Sequence, residues 1–368
     1  MSTRDEMIKH LATRLQTGKV LTIVGTGVSA AATGNQEIAG CKVTSWPGLI
    51  EHGIQHGLQK QVFRDEPKRV DLIRKLIDFG TTFPERTGDL VDAASELVGA
   101  FERHQRGLIQ EWLKSVCEQL QIKHRELIDV VAGLNGILAT LNYDHLLEQA
   151  TGREALSWHD EVAVSLLMNG TTPAKKCVLH LHGSYQHWDS VVFDQASYTR
   201  VNSSMHAFAT RHSLANTNTL LFIGCGQTLD DLTFHNLITW CAAYYAKSNV
   251  LNYVLCKEDD EERLQKKLQS HHWLKPLVYG KQYDELVGFL AKLNLQPNIT
   301  DISNAIASAG MAAGGPTPTP PLTPPVDTTP YLTLLNERNS HIEIRGLQVS
   351  SGRAPRFPID DLYIPLKT

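Results

Sequence analysis

The sequence predicts an α/β fold: a parallel sheet with helices on both faces, interrupted by a mainly helical insertion. Three observations predict it. Apolar, β-branched runs such as VLTIVG (20–25) and TLLFIGCG (219–226) end in glycine. These runs alternate with stretches of helical periodicity, the pattern of strands buried on both faces. Polar residues collect at the ends of the runs, where open parallel sheets bind ligands. Together they describe a Rossmann-like arrangement.

The elements follow in chain order. MSTRDEMIKHLATRLQTGK is a charged amphipathic stretch without a signal-peptide core. VLTIVG is the first strand. From Trp46 to about Gly133 the pattern is mostly helical. LVDAASELVGAFERHQRGLIQEWLKSVCEQL, for example, places apolar residues at three- and four-residue spacing. We therefore assign a helical insertion to about 47–133. GILATLN, KCVLHLHG, SVVF, TLLFIGCG, LNYVLC and KPLVYG are the remaining strand candidates. EDDEERLQKKLQSHHW reads as a polar helix, and YDELVGFLAKLN as the amphipathic helix that closes the domain. The expected domain is 1–298. Residues 299–330 are rich in Pro, Gly and Ala, with seven of the sixteen prolines between Pro316 and Pro330. Such a segment cannot build a core and reads as a semi-rigid linker. Residues 331–368 follow it and are too few for a sturdy core of their own.

Composition excludes several classes. Apolar residues are 42% and charged residues 20% of the 368, so the chain is not disordered throughout. A net charge of −4 and a pI near 6.5 argue against bulk electrostatic binding of nucleic acid. No apolar run approaches the roughly 20 residues that span a bilayer. A soluble, cytoplasmic protein with no membrane contact is expected. The six cysteines form no CxxC pair, which argues against a zinc ribbon or a thioredoxin-type site. They read as small buried hydrophobes.

Four strand ends carry the polar residues. GTGVSAAATG has Gly25 and Gly27 for a sharp turn and close approach, then small residues from Ser29 that open a helix. It matches neither GxGxxG nor Walker A, and a plain tight turn explains it as well. In TLNYDHLLE the strand ends at Asn142 and a helix starts near Asp144. Asn142 reads equally as a turn residue and Asp144 as an N-cap. In HLHGSYQHW, His180 and His182 alternate on a strand, and a histidine before Gly-Ser at a strand end suits acid–base work. A metal pair is the rival, but it lacks a third ligand, since no nearby carboxylate has convincing spacing. LFIGCGQTLDD repeats the glycine turn with Gly224, Gly226 and Thr228. Two glycine-rich strand ends in one sheet suggest a dinucleotide.

GTGVS, then T-x-N-x-D, then HG, then a final GxG strand end, in that order, resembles the sirtuin NAD-binding domain over about residues 15–297. It is most similar to the sirtuin-like domains of prokaryotic antiphage defence proteins, which cleave NAD. The resemblance implies that Gly25, Gly27 and Ser29 contact the dinucleotide phosphates and nearby ribose. Thr140, Asn142 and Asp144 match the T-x-N-x-D segment, with Asn142 at the nicotinamide ribose. His182, followed by Gly183, matches the catalytic histidine. Gly224, Gly226, Thr228 and Asp231 match the adenosine-side loop. Two departures argue against a deacylase: TSWPGLIEHG, with Trp46, stands where deacylases carry Pro-Asp-Phe-Arg, and the four-cysteine zinc module is absent. The expectation is NAD+ as substrate, no zinc or other metal, and hydrolysis to nicotinamide and ADP-ribose. The alternatives are an NAD-dependent deacylase or a non-enzymatic NAD- or ADP-ribose-binding module. The insertion is an expected homo-oligomer interface. IEIRGLQVSSGRAPRFPIDDLYIPLKT (342–368) resembles the segment that precedes a NACHT-type ATPase, which implies a downstream ATPase or sensor region. A strand folding back onto the first domain is the rival reading of this tail.

Overall fold

The computed structural model describes residues 3–83, 87–226, 251–269, 273–294, 341–343 and 356–358. The chain divides into two units, Met1–Ser303 and Asn304–Thr368. The Pro-rich linker, most of the tail, Thr228 and Asp231 lie outside the described residues. Of the second unit, His341–Glu343 and Arg356–Pro358 form an antiparallel pair.

In the first unit the strands are β1 Val20–Val24, β2 Ile137–Thr140, β3 Glu154–Ser157, β4 Cys177–His180, β5 Thr219–Ile223, β6 Asn252–Lys257 and β7 Leu274–Gly280. They form one sheet in the order β3-β4-β2-β1-β5-β6-β7, and every pairing is parallel. The predicted α/β, Rossmann-like class is therefore the observed one. Period-two alternation explains its two cores. Val20 and Val24 of β1 join one cluster with Leu221 and Ile223 of β5. Leu21 and Ile23 join the other with Leu220 and Phe222.

Helices α1 Arg4–Gln16, α2 Thr26–Ala32 and α3 Trp46–Gln59 come before the next strand, with α4 Pro67–Thr82, α5 Thr87–His104, α6 Leu108–Gln119 and α7 Glu126–Gly133. Then follow α8 Leu146–Thr151, α9 Glu161–Met168, α10 Gln195–Ser203, α11 Met205–Thr217, α12 Glu258–Lys267 and α13 Glu285–Asn294. Their ends obey local chemistry. Thr3 and Glu6 form a capping box on α1. α12 has four acidic residues in its first turn and Lys266 and Lys267 in its last, matching its dipole. The insertion is anchored by Trp112, which is fully buried, donates from Nε1 to His52 Nδ1 at 3.0 Å and packs on Phe101 and Phe193. Truncating such a side chain costs about 3–5 kcal/mol.

Three local expectations differ from the structure. SVVF is not a strand: a short 3₁₀ turn, Trp188–Ser190, leads into irregular backbone. Val191, Val192 and Phe193 are buried there, and the Val192 N–H donates to the His182 carbonyl, so this run braces a loop. Strand β4 ends at His180, so its alternation does not reach His182. α8 begins at Leu146 behind His145, so Asp144 is not the N-cap residue, although its Oδ1 still accepts the Leu146 N–H at 3.1 Å.

After β1 the chain builds β2, β3 and β4 on one side, then crosses to place β5 on the other. The direction reverses between β1 and β5, and a crevice opens at the carboxyl ends of such neighbours.

Candidate functional site

A cavity of about 540 Å³ lies at that edge of the sheet. Its lining includes Thr26 after β1, Asn142 and Asp144 after β2, His182 after β4, Gly226 after β5, and Asp260 and Arg263 after β6. One continuous pocket thus takes residues from five neighbouring strand ends. The insertion also contributes to the lining, with Gly80, Thr81, Leu90, Val116, Cys117 and Leu120. Trp46 and Tyr198 also line it. Trp46 stacks edge-on against Phe193, and Tyr198 packs edge-on against His182 at 6.2 Å.

The glycine turns meet each other first. Gly25 N–H donates to the Ile223 carbonyl at 2.9 Å and Gly27 N–H to the Gly224 carbonyl at 3.0 Å. A Cβ on Gly25 would stand 2.6 Å from the Gly224 oxygen, and Gly224 itself has φ +68°. These glycines are required by the close approach of two loops. None of Gly25, Gly27, Ser29, Thr140, Gly183 and Gly224 lines the cavity, whereas Asn142, Asp144, His182 and Gly226 do.

The non-lining residues hold the lining ones. Asn142 Nδ2 donates to Ser29 Oγ at 2.8 Å and to the Gly25 carbonyl at 3.2 Å. Ser29 Oγ donates onward to Asp144 Oδ2 at 2.9 Å. Thr140 Oγ1 donates to the Val24 carbonyl and accepts the Asn142 N–H at 3.0 Å. This directed chain fixes the amide orientation, because the Gly25 carbonyl can only accept. Among the described residues, Asn142 Oδ1 is left buried without a partner, on a residue only 6% exposed. Such an acceptor is costly unless a ligand donor meets it. Trp46 Nε1 is likewise unpartnered, here as a donor. Burial raises Asp144 above the usual carboxylate range, opposed by the Leu146 N–H and the Ser29 hydroxyl. Burial, with Asp144 nearby, also pushes the Cys117 thiol well up.

The two histidines part company. His182 is buried and faces the cavity; His180 is fully buried behind it. His180 Nδ1 contacts the Asn142 carbonyl at 3.1 Å, and Nε2 contacts Glu148 Oε1 at 2.7 Å. The sequence spacing had offered no carboxylate for this pair; the fold supplies Glu148 from α8, and His145 completes a group whose three candidate ligand atoms lie within 4.8 Å of one another. His145 Nε2 sits 2.6 Å from Ser184 Oγ, and burial lowers its pKa to about 4. The sequence reading did not single out Thr26, Tyr198, Asp260 or Arg263 for the site. Asp260 and Arg263 lie in a helix that reads as a plain solvated face, and only the strand order brings them to the pocket.

Residues 136–276 match the family model described as a SIR2-like domain. The matched stretch runs from β2 into β7 and contains Asn142, Asp144, His182, Gly224 and Gly226. It supports a sirtuin-like domain, implies NAD binding and fits an NAD-utilising enzyme. No helix among the described residues is long and apolar enough to cross a membrane.

Proposed function

We propose that the chain is an NAD+ glycohydrolase that releases nicotinamide and ADP-ribose. The observation that carries this reading is the pocket spanning five strand ends, lined by both His182 and Asn142, whose buried Oδ1 meets no partner among the described residues. An extended dinucleotide suits such a trough. The nicotinamide–ribose bond has a cationic leaving group, so its cleavage needs no strong acid. In this reading Asn142 Oδ1 accepts a ribose hydroxyl and orients the sugar. His182 takes the proton of the attacking water, a role worth about 10²- to 10⁴-fold. Gly226 and Thr26 flank the pyrophosphate, and the adenosine lies toward Asp260 and Arg263. Remote binding of this kind orients the reacting end. Residues of the insertion also line the cavity, and in this reading water, not a protein acyl group, is the acceptor. We further propose that the tail belongs to a following sensor region, and that the insertion mediates self-association in antiphage defence.

The test is incubation with NAD+ and chromatography for nicotinamide and ADP-ribose, with no peptide present. Release by the wild-type chain and its loss in His182→Ala and Asn142→Ala, both still folded, are expected. No release by the wild type, or unchanged release by both variants, would overturn the reading.

A further inference from the structure

We propose that Glu148 and His180 form a buried positioning pair that sets Asn142, resting on the NAD-cleavage reading for its catalytic consequence. Neither residue lines the cavity, so neither touches substrate. The hydrogen-bond roles follow from the contacts. The Asn142 carbonyl only accepts, so His180 Nδ1 carries a hydrogen. The 2.7 Å contact from Nε2 to Glu148 Oε1 then holds one further proton between two basic atoms. Glu148 is 10% exposed at its side chain and His180 not at all.

The pair ties three elements together: the end of β4, the loop after β2, and α8. Asn142 is thereby held at every polar atom but one. Its N–H meets Thr140 Oγ1, its carbonyl meets His180, and its side-chain amide meets Gly25 and Ser29. Among the described residues, only Oδ1 has no partner. His180 is therefore a clamp on the backbone of Asn142, a cavity-lining residue whose buried Oδ1 meets no partner among the described residues.

A metal ion bound by His145, Glu148 and His180 is the competing use of these groups. The geometry favours the pair. Two ligands at about 2.1 Å from one tetrahedral ion stand about 3.4 Å apart, whereas the Nε2–Oε1 contact is a closed hydrogen bond at 2.7 Å.

Two substitutions separate the ring's two roles. His180→Asn keeps an N–H at the position of Nδ1 and loses the link to Glu148. His180→Gln keeps the reach to Glu148 and loses the donor to Asn142. The expected result is a kcat for nicotinamide release about 10²-fold lower in His180→Gln, with KM little changed, and a much smaller loss in His180→Asn, at similar melting temperatures. A fall of equal size in both, or wild-type kcat in His180→Gln, overturns the proposal. NMR of the protein gives a readout independent of turnover. The Asn142 backbone carbonyl carbon signal, which reports the hydrogen bond that this carbonyl accepts, should shift more in His180→Gln than in His180→Asn; the reverse, or no movement in either, also overturns it. If the wild type releases no nicotinamide, the glycohydrolase reading fails while this NMR comparison still decides the clamp. Stoichiometric zinc or another transition metal in the purified wild type, lost in His180→Gln, overturns the pair in favour of a metal site.

Discussion

Gly25 and Gly226 sit on neighbouring loops, yet alanine should act on them in opposite ways. At Gly25 the added Cβ would stand 2.6 Å from the Gly224 oxygen and 2.9 Å from both the Cys225 Cα and Sγ. Ordinary contact starts at 3.4 Å, so the loops after β1 and β5 must part by about 0.8 Å. Backbone on one side and a fully buried thiol on the other leave little give. Overpacking of this kind costs about 1–3 kcal/mol. For a unit spanning Met1–Ser303 that lowers Tm by about 2–5 °C. The shift also reaches Asn142, whose amide is bonded to the Gly25 carbonyl. At Gly226 no described atom lies within 4 Å of the new Cβ, and the residue lines the cavity. Its stability should stay within about 0.5 kcal/mol of wild type. The methyl instead occupies ligand space, weakening NAD+ binding about tenfold or more. Differential scanning fluorimetry and calorimetric titration with NAD+ read the two effects separately. Equal Tm losses in the two variants, or a Gly25→Ala protein that melts like wild type, would show that the two loops are free to part.

Three further outcomes are expected. Ser29→Ala breaks the link from Asn142 to Asp144, leaving Asp144 Oδ2 without its donor; it should cost about 1–3 kcal/mol and lower nicotinamide release. Unchanged melting and unchanged release together would contradict it. Trp46→Phe removes an unpartnered indole N–H from the cavity wall, so Tm should hold or rise while NAD+ affinity falls about two- to tenfold; equal affinity by calorimetry would show that the indole meets no ligand. The pH dependence of stability follows from His145, whose pKa falls from 6.5 to about 4 on folding. Above pH 6.5 its contribution is fully present. Between 6.5 and 4 the unfolded chain takes up a proton that the folded chain refuses, so stability drops, by up to about 3 kcal/mol at the lower end and less where solvent screens the ring. His10, His52, His56 and His212, also lowered by burial, steepen the same slope. Melting curves across that range should flatten in His145→Gln, and an unaltered slope there would exclude His145 as a source.

How much of this was legible in the sequence depends on whether the deciding forces are local. The buried strands were readable because a two-sided sheet demands apolar runs, as VLTIVG and TLLFIGCG show, and the ends of those runs located the cavity. SVVF misled because the same composition also suits irregular backbone buried beneath a loop, and its Val192 amide is spent on the His182 carbonyl. The short edge strand β3, Glu154–Ser157, has two exposed residues of four and gives almost no signal. Glycine reads the same whether a ligand or another loop comes close, so Gly25 and Gly226 looked alike, and only the Cβ distances separate them. His180 is the clearest limit. Its partners are 32 and 38 residues away, and their meeting depends on β4 lying beside β2, with α8 leading back toward β4. No spacing rule along the chain encodes that adjacency. The histidine whose neighbours were hardest to foresee is thus the one whose role rests on strand order alone, and placing Glu148 opposite it turns a bare pair of strand histidines into a division of labour: His182 at the cavity, His180 behind the residue that faces it.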